Sequence, residues 1–334
     1  MLKVAMLSGW HVHAKGYARE INVRTDAKVT AVWDEIPDRG DAWAKELACP
    51  FHADLDGLLA DPGIDAVAVC APTNVHEDVM VRAAQAGKHI FTEKVMALTV
   101  KECRRIADAV TKAGVKFCIS LPHRAAPQNL FAKRLIEDGL LGQVTTLRVR
   151  NAHGGASDKW LPAHFYDPVQ CGGGAMMDLG AHVMYLTRWL LGRPVRATSL
   201  FNRFTDHPVE DNAITLFEFP GKAIAMAETS FVTPFSPYGL EVYGTEGSLF
   251  VGGPENNVRV TGPKFTASDC KGWLTVGNLP KPLPAAIAQW IDGICNNTPI
   301  HFGLEEGIDL TEMMEAAYLS AGEKRTVEFA ELGK

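Results

Sequence analysis

The chain reads as an α/β protein in two parts, an N-terminal doubly wound parallel sheet and a C-terminal α+β domain with a mostly antiparallel sheet. Three observations predict this. The first 120 residues alternate short apolar strand patterns with amphipathic helical patterns, and strands that are apolar throughout belong in a parallel sheet covered by helices. Beyond about residue 121, strand patterns follow one another without helices between them, and Pro220-Gly221 is a tight turn that makes its two strands antiparallel. At 334 residues the chain has the length of two ordinary domains, divided as 1–121 and 122–334.

In the first domain, residues 2–7, 29–33, 65–71, 89–92 and 115–121 read as buried strands. Helical patterns lie near 14–23, 38–48, 55–60, 76–86 and 99–113. The last is the best marked. Thr99-Val100-Lys101-Glu102 is a capping box, Val100, Cys103, Ile106, Ala107 and Val110 form its buried stripe, and Gly114 stops it. In the second domain a helix at 127–138 leads to a strand at 144–150, and a glycine-led helix runs to Leu191. Strands at 196–203, 212–219, 222–231 and 240–243 follow. The proline-rich stretch 254–284 reads mostly as loop, and helices near 284–296 and 304–321 and a strand at 326–329 finish the chain.

Composition excludes several functions. A net charge of −6 provides no basic footprint for nucleic acid. No apolar run approaches the roughly 18 residues of a membrane span, and the apolar start is too short for a signal peptide. The seven cysteines (49, 70, 103, 118, 171, 270 and 295) are scattered and never spaced CxxC, which predicts reduced thiols, a cytoplasmic location and no structural zinc.

The segment Gly172-Gly173-Gly174-Ala175-Met176-Met177-Asp178-Leu179-Gly180-Ala181-His182 stands out. Three glycines permit a close backbone approach, and the helix expected after them carries Asp178 and His182 one turn apart. Tyr185 falls on the same face, while Leu179, Val183, Leu186 and Leu190 form a separate apolar stripe. The pair is therefore expected to look into a cleft. A carboxylate beside an imidazole suits general acid/base chemistry, although the same spacing also describes an ordinary surface pair.

A second candidate lies in the loop Leu7-Ser8-Gly9-Trp10-His11-Val12-His13-Ala14. A dinucleotide fold wants G-x-G-x-x-G here, so that backbone amides and a helix N-terminus can hold a pyrophosphate; only Gly9 remains. His11-x-His13 after a first strand is also the metal pair of a hydrolase barrel. The antiparallel second half contradicts that fold, and no metal is expected. Asp34 ends the second strand, where a carboxylate accepts from a ribose diol and repels a 2′-phosphate, favouring NAD; a turn or N-cap aspartate is the alternative. Arg39 leaves NADP open. Thr73, Asn74 and His76 follow the fourth strand at its carboxyl end, where such sheets bind ligands, though Thr and Asn are also helix-capping residues.

Several motifs together resemble one family. They are Ala68-Val69-Cys70-Ala71-Pro72-Thr73-Asn74-Val75-His76, Ala86-Gly87-Lys88-His89-Ile90-Phe91-Thr92-Glu93-Lys94, Pro122-His123-Arg124-Ala125-Ala126-Pro127, Gly139-Leu140-Leu141-Gly142-Gln143-Val144, the glycine-led segment, and Tyr243-Gly244-Thr245-Glu246-Gly247-Ser248. In order and spacing they resemble the Gfo/Idh/MocA family across nearly the whole chain. The resemblance implies an NAD(P)-dependent oxidoreductase of a sugar, polyol or related hydroxy compound. It places Ser8, Gly9, His11, Val12, His13, Asp34, Ala71, Pro72, Thr73, Asn74, His76, Glu93 and Lys94 on the cofactor side. Lys94 would reach between nicotinamide and substrate, His182 would carry the proton, and Asp178 would hold a hydroxyl or orient the imidazole. His123, Arg124, His153, Trp160 and His164, in loops flanking the two domains, are candidate pocket residues with a structural role as the alternative for each, and Tyr185 is a further candidate on the substrate side. Homo-oligomerisation through the C-terminal sheet is implied as well.

The chain departs from the family at three places. It lacks the glycine fingerprint, it has Val95 where proline follows the lysine, with a reshaped turn expected there, and it has Tyr185 where polyol dehydrogenases carry aspartate. Two other readings stay open: an NAD-dependent glycosidase working through transient oxidation, and a non-catalytic sugar-sensing regulator.

Overall fold

The computed structural model describes residues 1–265 and 272–333, so Cys270 lies outside the described residues. The first eleven elements are β1 (Leu2–Leu7), α1 (Ala14–Asn22), β2 (Ala27–Trp33), α2 (Pro37–Leu47), β3 (Phe51–His52), α3 (Leu55–Ala60), β4 (Ala66–Val69), α4 (His76–Gln85), β5 (His89–Thr92), α5 (Val100–Ala113) and β6 (Phe117–Ile119). Their six strands form one sheet in the order β3-β2-β1-β4-β5-β6, with every pair parallel. The order reverses between β1 and β4, the switch point outside whose carboxyl ends ligands bind in such sheets. Val4, Ala5, Met6, Leu7 and all of β4 are buried, which is why these strands carry no polar alternation. The Thr99 capping box forms, and Gly114 takes the left-handed conformation at the end of α5.

The next elements are α6 (Pro122–Ala125), α7 (Pro127–Glu137), β7 (Val144–Ala152), α8 (Pro168–Cys171), α9 (Gly180–Leu191), β8 (Arg196–Asn202), β9 (Asn212–Glu218), β10 (Ile224–Ser230), β11 (Gly239–Gly244), β12 (Ser248–Gly252), β13 (Asn257–Thr261) and β14 (Leu274–Thr275). The chain continues with α10 (Ala286–Cys295), α11 (Leu304–Glu323) and β15 (Val327–Glu328). The second sheet runs β14-β13-β12-β11-β7-β10-β9-β8-β15, and β7·β10 is its parallel pair. Leu147, Val149, Ala213, Phe217, Ala225 and Ala227 face inward, and α9 packs on β7 and β10. On the opposite face Leu200 pairs with Ile214, and Leu216 with Met226. Leu200, Ile214, Leu216 and Ile224 are exposed there.

The structure differs from the sequence reading in three places. The stretch expected to be mostly loop carries β13 and β14, because Val258 and Val260 alternate inward against β12. The helix expected to hold both Asp178 and His182 begins only at Gly180, leaving Asp178 in the preceding turn. Residues Ala181 to Leu186 are all buried, so α9 has no distinct polar face; β7 and β10 enclose a helix that reads as amphipathic in isolation.

The chain divides into two compact units, one of Met1–Ser120 with Pro284–Thr311, the other of Leu121–Leu283 with the residues from Glu312 on. The expected domain 122–334 thus loses residues 284–311 to the first unit. The reason is packing. Trp290 on α10 is fully buried with its ring 5.7 Å from Phe91, and Ile119 N–H donates to Phe302 O at 2.9 Å.

Candidate active site

In the first unit the loop after β1 is built around Ser8 and Asp34. Ser8 holds a positive φ of 74°, so the chain makes its tight exit from β1 without the first glycine of the usual fingerprint. Asp34 is 2% exposed at the end of β2 and its Oδ2 accepts Gly9 N–H at 2.8 Å. Its Oδ1 accepts Ile36 N–H at 2.8 Å, and the Arg39 fork bonds both oxygens at 2.8–3.1 Å. Ile36, not Asp34, occupies the N-cap position of α2. Asp34 therefore fixes the shape of the loop and carries Arg39 as its counter-ion.

Glu93 at the end of β5 gathers the other cofactor-side candidates. The His13 ring Nδ1 lies 2.8 Å from Oε1, the His11 Nδ1 lies 3.8 Å from it, and Lys94 N–H donates to Oε2 at 2.9 Å. The Tyr17 hydroxyl donates to Oε1 as well and lies 2.8 Å from Ser120 Oγ. Burial pushes the Glu93 carboxyl up, but His11, His13 and Lys94 outweigh it and hold the group far below the usual carboxylate range. The same carboxylate and burial push the Tyr17 phenol well up, so it stays a donor. Nothing in the sequence marked Tyr17; only the pairing of α1 with β5 brings its hydroxyl to Glu93.

His11, His13 and Glu93 each place a donor atom within 4.8 Å of the others, a set with metal-ligand chemistry. Those atoms are already engaged internally. The His13 Nδ1 faces Glu93, and the His11 Nδ1 accepts His13 N–H at 3.2 Å. We assign no metal.

Lys94 is 6% exposed, and the Lys94–Val95 peptide is cis. His76, expected on the cofactor side, has a different role. It is 1% exposed, with Nε2 2.9 Å from Ala71 O and Nδ1 3.0 Å from Val95 O, so it ties the end of β4 to the segment after Lys94. Burial lowers its pKa against the pull of those carbonyls. Thr73 is buried and Asn74 exposed in a short 3-10 turn, and neither side chain caps that turn or α4. Ala71 and Pro72 are buried at the same strand end, whereas Val12 is half exposed.

These residues fit a dinucleotide by the chemistry of their donors. A carboxylate stands at the end of β2, the helix α1 starts without a side-chain cap on its N-terminus, and both lie at the switch point of the sheet.

In the second unit His182 is 8% exposed, and its Nδ1 lies 2.8 Å from the Tyr185 hydroxyl. The His123 ring stacks on it, with centroids 4.6 Å apart and planes 23° apart. His123 N–H donates to the Tyr185 oxygen at 3.0 Å, and Asn129 Nδ2 donates to His123 O at 2.8 Å. Tyr238 closes the chain, donating to Asn129 Oδ1 at 3.0 Å. Tyr185, His182 and His123, which the sequence reading names as candidates, thus lie in contact, with Tyr185 2% exposed and its hydroxyl turned to His182. Arg124 lies over the Trp189 ring at 5.1 Å, and the half-exposed Trp160 packs on His153 at 4.7 Å. His164 lies in a 3-10 turn with its ring against Phe165.

The glycine segment owes its shape to a residue the sequence reading missed. Glu210, 8% exposed, accepts Gly174 N–H at 2.9 Å and Met176 N–H at 3.0 Å, and Tyr318 donates to it at 2.6 Å. A Cβ on Gly173 would stand 2.0 Å from the Tyr318 hydroxyl, and one on Gly174 2.0 Å from Glu210 O, so only glycine fits at either position. Glu210 holds these amides outside the helical ladder, which is why α9 starts after Asp178. Burial raises the Glu210 pKa against the hydrogen bonds it accepts.

Comparison with known proteins agrees with this geometry. Residues 6–121 match the model of the oxidoreductase family with an NAD-binding Rossmann fold, and residues 130–250 match the GFO/IDH/MocA C-terminal domain. The chain is 32% identical to scyllo-inositol 2-dehydrogenase (NAD(+)) of Bacillus subtilis (strain 168), over 72% of this chain and 70% of that protein. It is 25% identical to inositol 2-dehydrogenase of Rhizobium meliloti (strain 1021), over 95% and 96% of the two chains. Among solved structures it is similar to GenD2 from gentamicin A biosynthesis in complex with NAD, with a TM-score of 0.80 and 28% identity over 98% of this chain and 96% of that one. With both halves matched in order, the chain belongs to the Gfo/Idh/MocA family of NAD-binding oxidoreductases.

Proposed function

We propose that this protein is an NAD-dependent dehydrogenase of a sugar, polyol or related hydroxy compound. The observation that carries the reading is His182, buried and braced at Nδ1 by Tyr185 and across its ring face by His123. The names of its relatives, inositol dehydrogenases among them, support the substrate class. NAD, when bound, supplies the hydride acceptor, and the residues of the chain supply orientation and electrostatics.

His182 takes the hydroxyl proton on Nε2, the nitrogen not turned to Tyr185. The Lys94 ammonium stabilises the oxygen as negative charge develops on it. The α1 N-terminus would hold the pyrophosphate of bound NAD, and Asp34, with Arg39 as counter-ion, would hold its ribose. Reduction reverses these roles.

A panel of sugars, polyols and hydroxy acids with NAD and NADP, followed by nicotinamide absorbance, tests the reading. Turnover with at least one hydroxy compound is expected, with NAD preferred. Absence of binding to either nucleotide would sink it. Lys94→Met and His182→Ala should each lower kcat about 10²–10³-fold; wild-type turnover in either variant removes that residue from the mechanism.

Two broader features belong to the same proposal. The exposed Leu200, Ile214, Leu216 and Ile224 face suits a second copy of the chain, since an uncovered apolar face is unfavourable. A charged residue at Leu216 should then lower the mass measured by light scattering. The six described cysteines are free thiols, and no described helix is long and apolar enough to cross a membrane, which fits a cytoplasmic enzyme.

A further inference from the structure

We propose that Tyr17 is a positioning residue that sets the place of Lys94, acting through Glu93. This rests on the reading of Lys94 as the group that stabilises the reacting oxygen. Lys94 is the next residue after Glu93, so where that carboxylate is pinned decides how the backbone enters Lys94. Glu93 Oε2 accepts the Lys94 N–H at 2.9 Å, which ties one end of the carboxylate to the peptide that carries the ammonium. The other oxygen, Oε1, meets the Tyr17 hydroxyl and, at 2.8 Å, the His13 ring. His13 and Tyr17 stand four residues apart at the start of α1, one turn, which is why both reach the same oxygen.

Of these two donors the phenol is the firmer. The His13 side chain is half exposed, whereas the Tyr17 ring meets Phe91 edge-on at 4.8 Å, and Phe91 packs on the buried Trp290 at 5.7 Å. The phenol oxygen also lies 2.8 Å from Ser120 Oγ. Ser120 is itself fixed, its N–H donating at 3.0 Å to the carbonyl of Thr92, the residue before Glu93. The protons can be placed without a remainder. Glu93, held far below the usual carboxylate range, is ionised and only accepts, so the phenol proton goes to it. The Ser120 hydroxyl then supplies the proton between Ser120 and Tyr17. The phenol oxygen thus has one donor and one acceptor, and it joins α1 to the ends of β5 and β6.

The need for such a brace follows from the charges around Glu93. His11, His13 and Lys94 all attract this carboxylate. Without the phenol it can turn toward any of them, and a Lys94 ammonium drawn onto Glu93 is withheld from the reacting oxygen. A neutral hydroxyl from a rigid helix pins the carboxylate and adds no competing charge.

The test is a double-mutant cycle with Lys94. Tyr17→Phe removes the hydroxyl and keeps the ring against Phe91. Its kcat should fall about tenfold, as for loss of one hydrogen bond to a charged group, with substrate KM and the fluorescence-measured NADH Kd within about twofold. If Tyr17 acts through Lys94, its loss costs nothing once the ammonium is gone. The double variant Tyr17→Phe/Lys94→Met should therefore match Lys94→Met within about twofold in kcat. A merely structural tyrosine would lower kcat by the same factor in both backgrounds, and that result overturns the proposal. Wild-type kcat in Tyr17→Phe, or a rise in its NADH Kd as the main effect, overturns it too. Should Tyr17→Phe fail to fold, Ser120→Ala carries the test, because it loosens the phenol and leaves the bond to Glu93. It should lower kcat about threefold, with no further loss on Lys94→Met. Wild-type kcat in Ser120→Ala, or a loss that persists on Lys94→Met, then overturns the proposal. The parent reading fails separately, through wild-type turnover in Lys94→Met alone.

Discussion

The two units hold their candidate residues by opposite electrostatic means. In the first, the candidate residues cluster around carboxylates paired with cationic or ring partners: Glu93, held far below the usual carboxylate range by His11, His13 and Lys94, and Asp34, bonded by the Arg39 fork. In the second, His182 is held by a phenol, a stacked ring and an amide chain, and the one buried carboxyl at the glycine segment, Glu210, is pushed up in pKa. The difference suits the tasks proposed for the two sides. A surface that must hold a dianionic pyrophosphate benefits from fixed charges already balanced before it binds. A proton acceptor needs a partner that orients it without settling its charge.

The largest expected effect breaks the charged cluster. Glu93→Ala would leave His13, Tyr17 and the Lys94 amide without their acceptor and should cost about 3–5 kcal/mol of stability, read from urea unfolding. A cost under about 1 kcal/mol would show that the cluster does not hold the unit together. Next comes Glu210→Ala, which strands two buried amides and the Tyr318 hydroxyl, at about 3 kcal/mol. Glu210→Gln keeps an acceptor oxygen and should recover most of that. If the glutamine variant is as unstable as the alanine one, charge rather than hydrogen bonding is what matters there.

Acidification should separate the units by sign. Glu93 has its pKa depressed on folding, so its contribution is present above its ordinary value of 4.5 and is lost as pH falls below it. His76 is also depressed, from 6.5, so folding favours its neutral form and stability declines as pH drops through that value. Glu210 is raised, so the folded state takes up its proton first, and acidification relieves rather than weakens its site. Hydrogen exchange at pH 5 against pH 7 should show loss of protection around His76 and none at residues 173–176. Equal loss in both places would erase the comparison.

The smallest effect concerns Arg39. Arg39→Ala uncovers the Asp34 carboxylate and should weaken NADPH several-fold while changing NADH by less, measured by nucleotide fluorescence. A larger loss for NADH would mean that the fork serves the ribose instead.

What could be read in advance follows the range of the forces involved. The parallel sheet was legible because buried strands must be apolar along their whole length, and the α5 boundaries because Thr99, Glu102 and Gly114 act within a few residues. The β13 and β14 strands were hidden among prolines and glycines. The place of residues 284–311 depended on where Trp290 found a pocket, which no local pattern encodes. His76 illustrates the same limit within the site. Its position after β4 suggested a ligand-facing role, but both ring nitrogens meet carbonyls, one of them 19 residues away in sequence.

By itself the sequence determined the two-part α/β architecture and the family, and it singled out Lys94, Asp178 and His182 as candidates, because periodicity and motif spacing are local properties of the chain. Only the tertiary structure decided what those residues rest on. It set Glu93 among two histidines and a tyrosine, moved Asp178 out of the helix through Glu210, and turned Tyr185 toward His182. Each of these joins side chains whose meeting depends on how packed elements come together, and hydrogen bonds of that kind leave no periodic trace in the sequence.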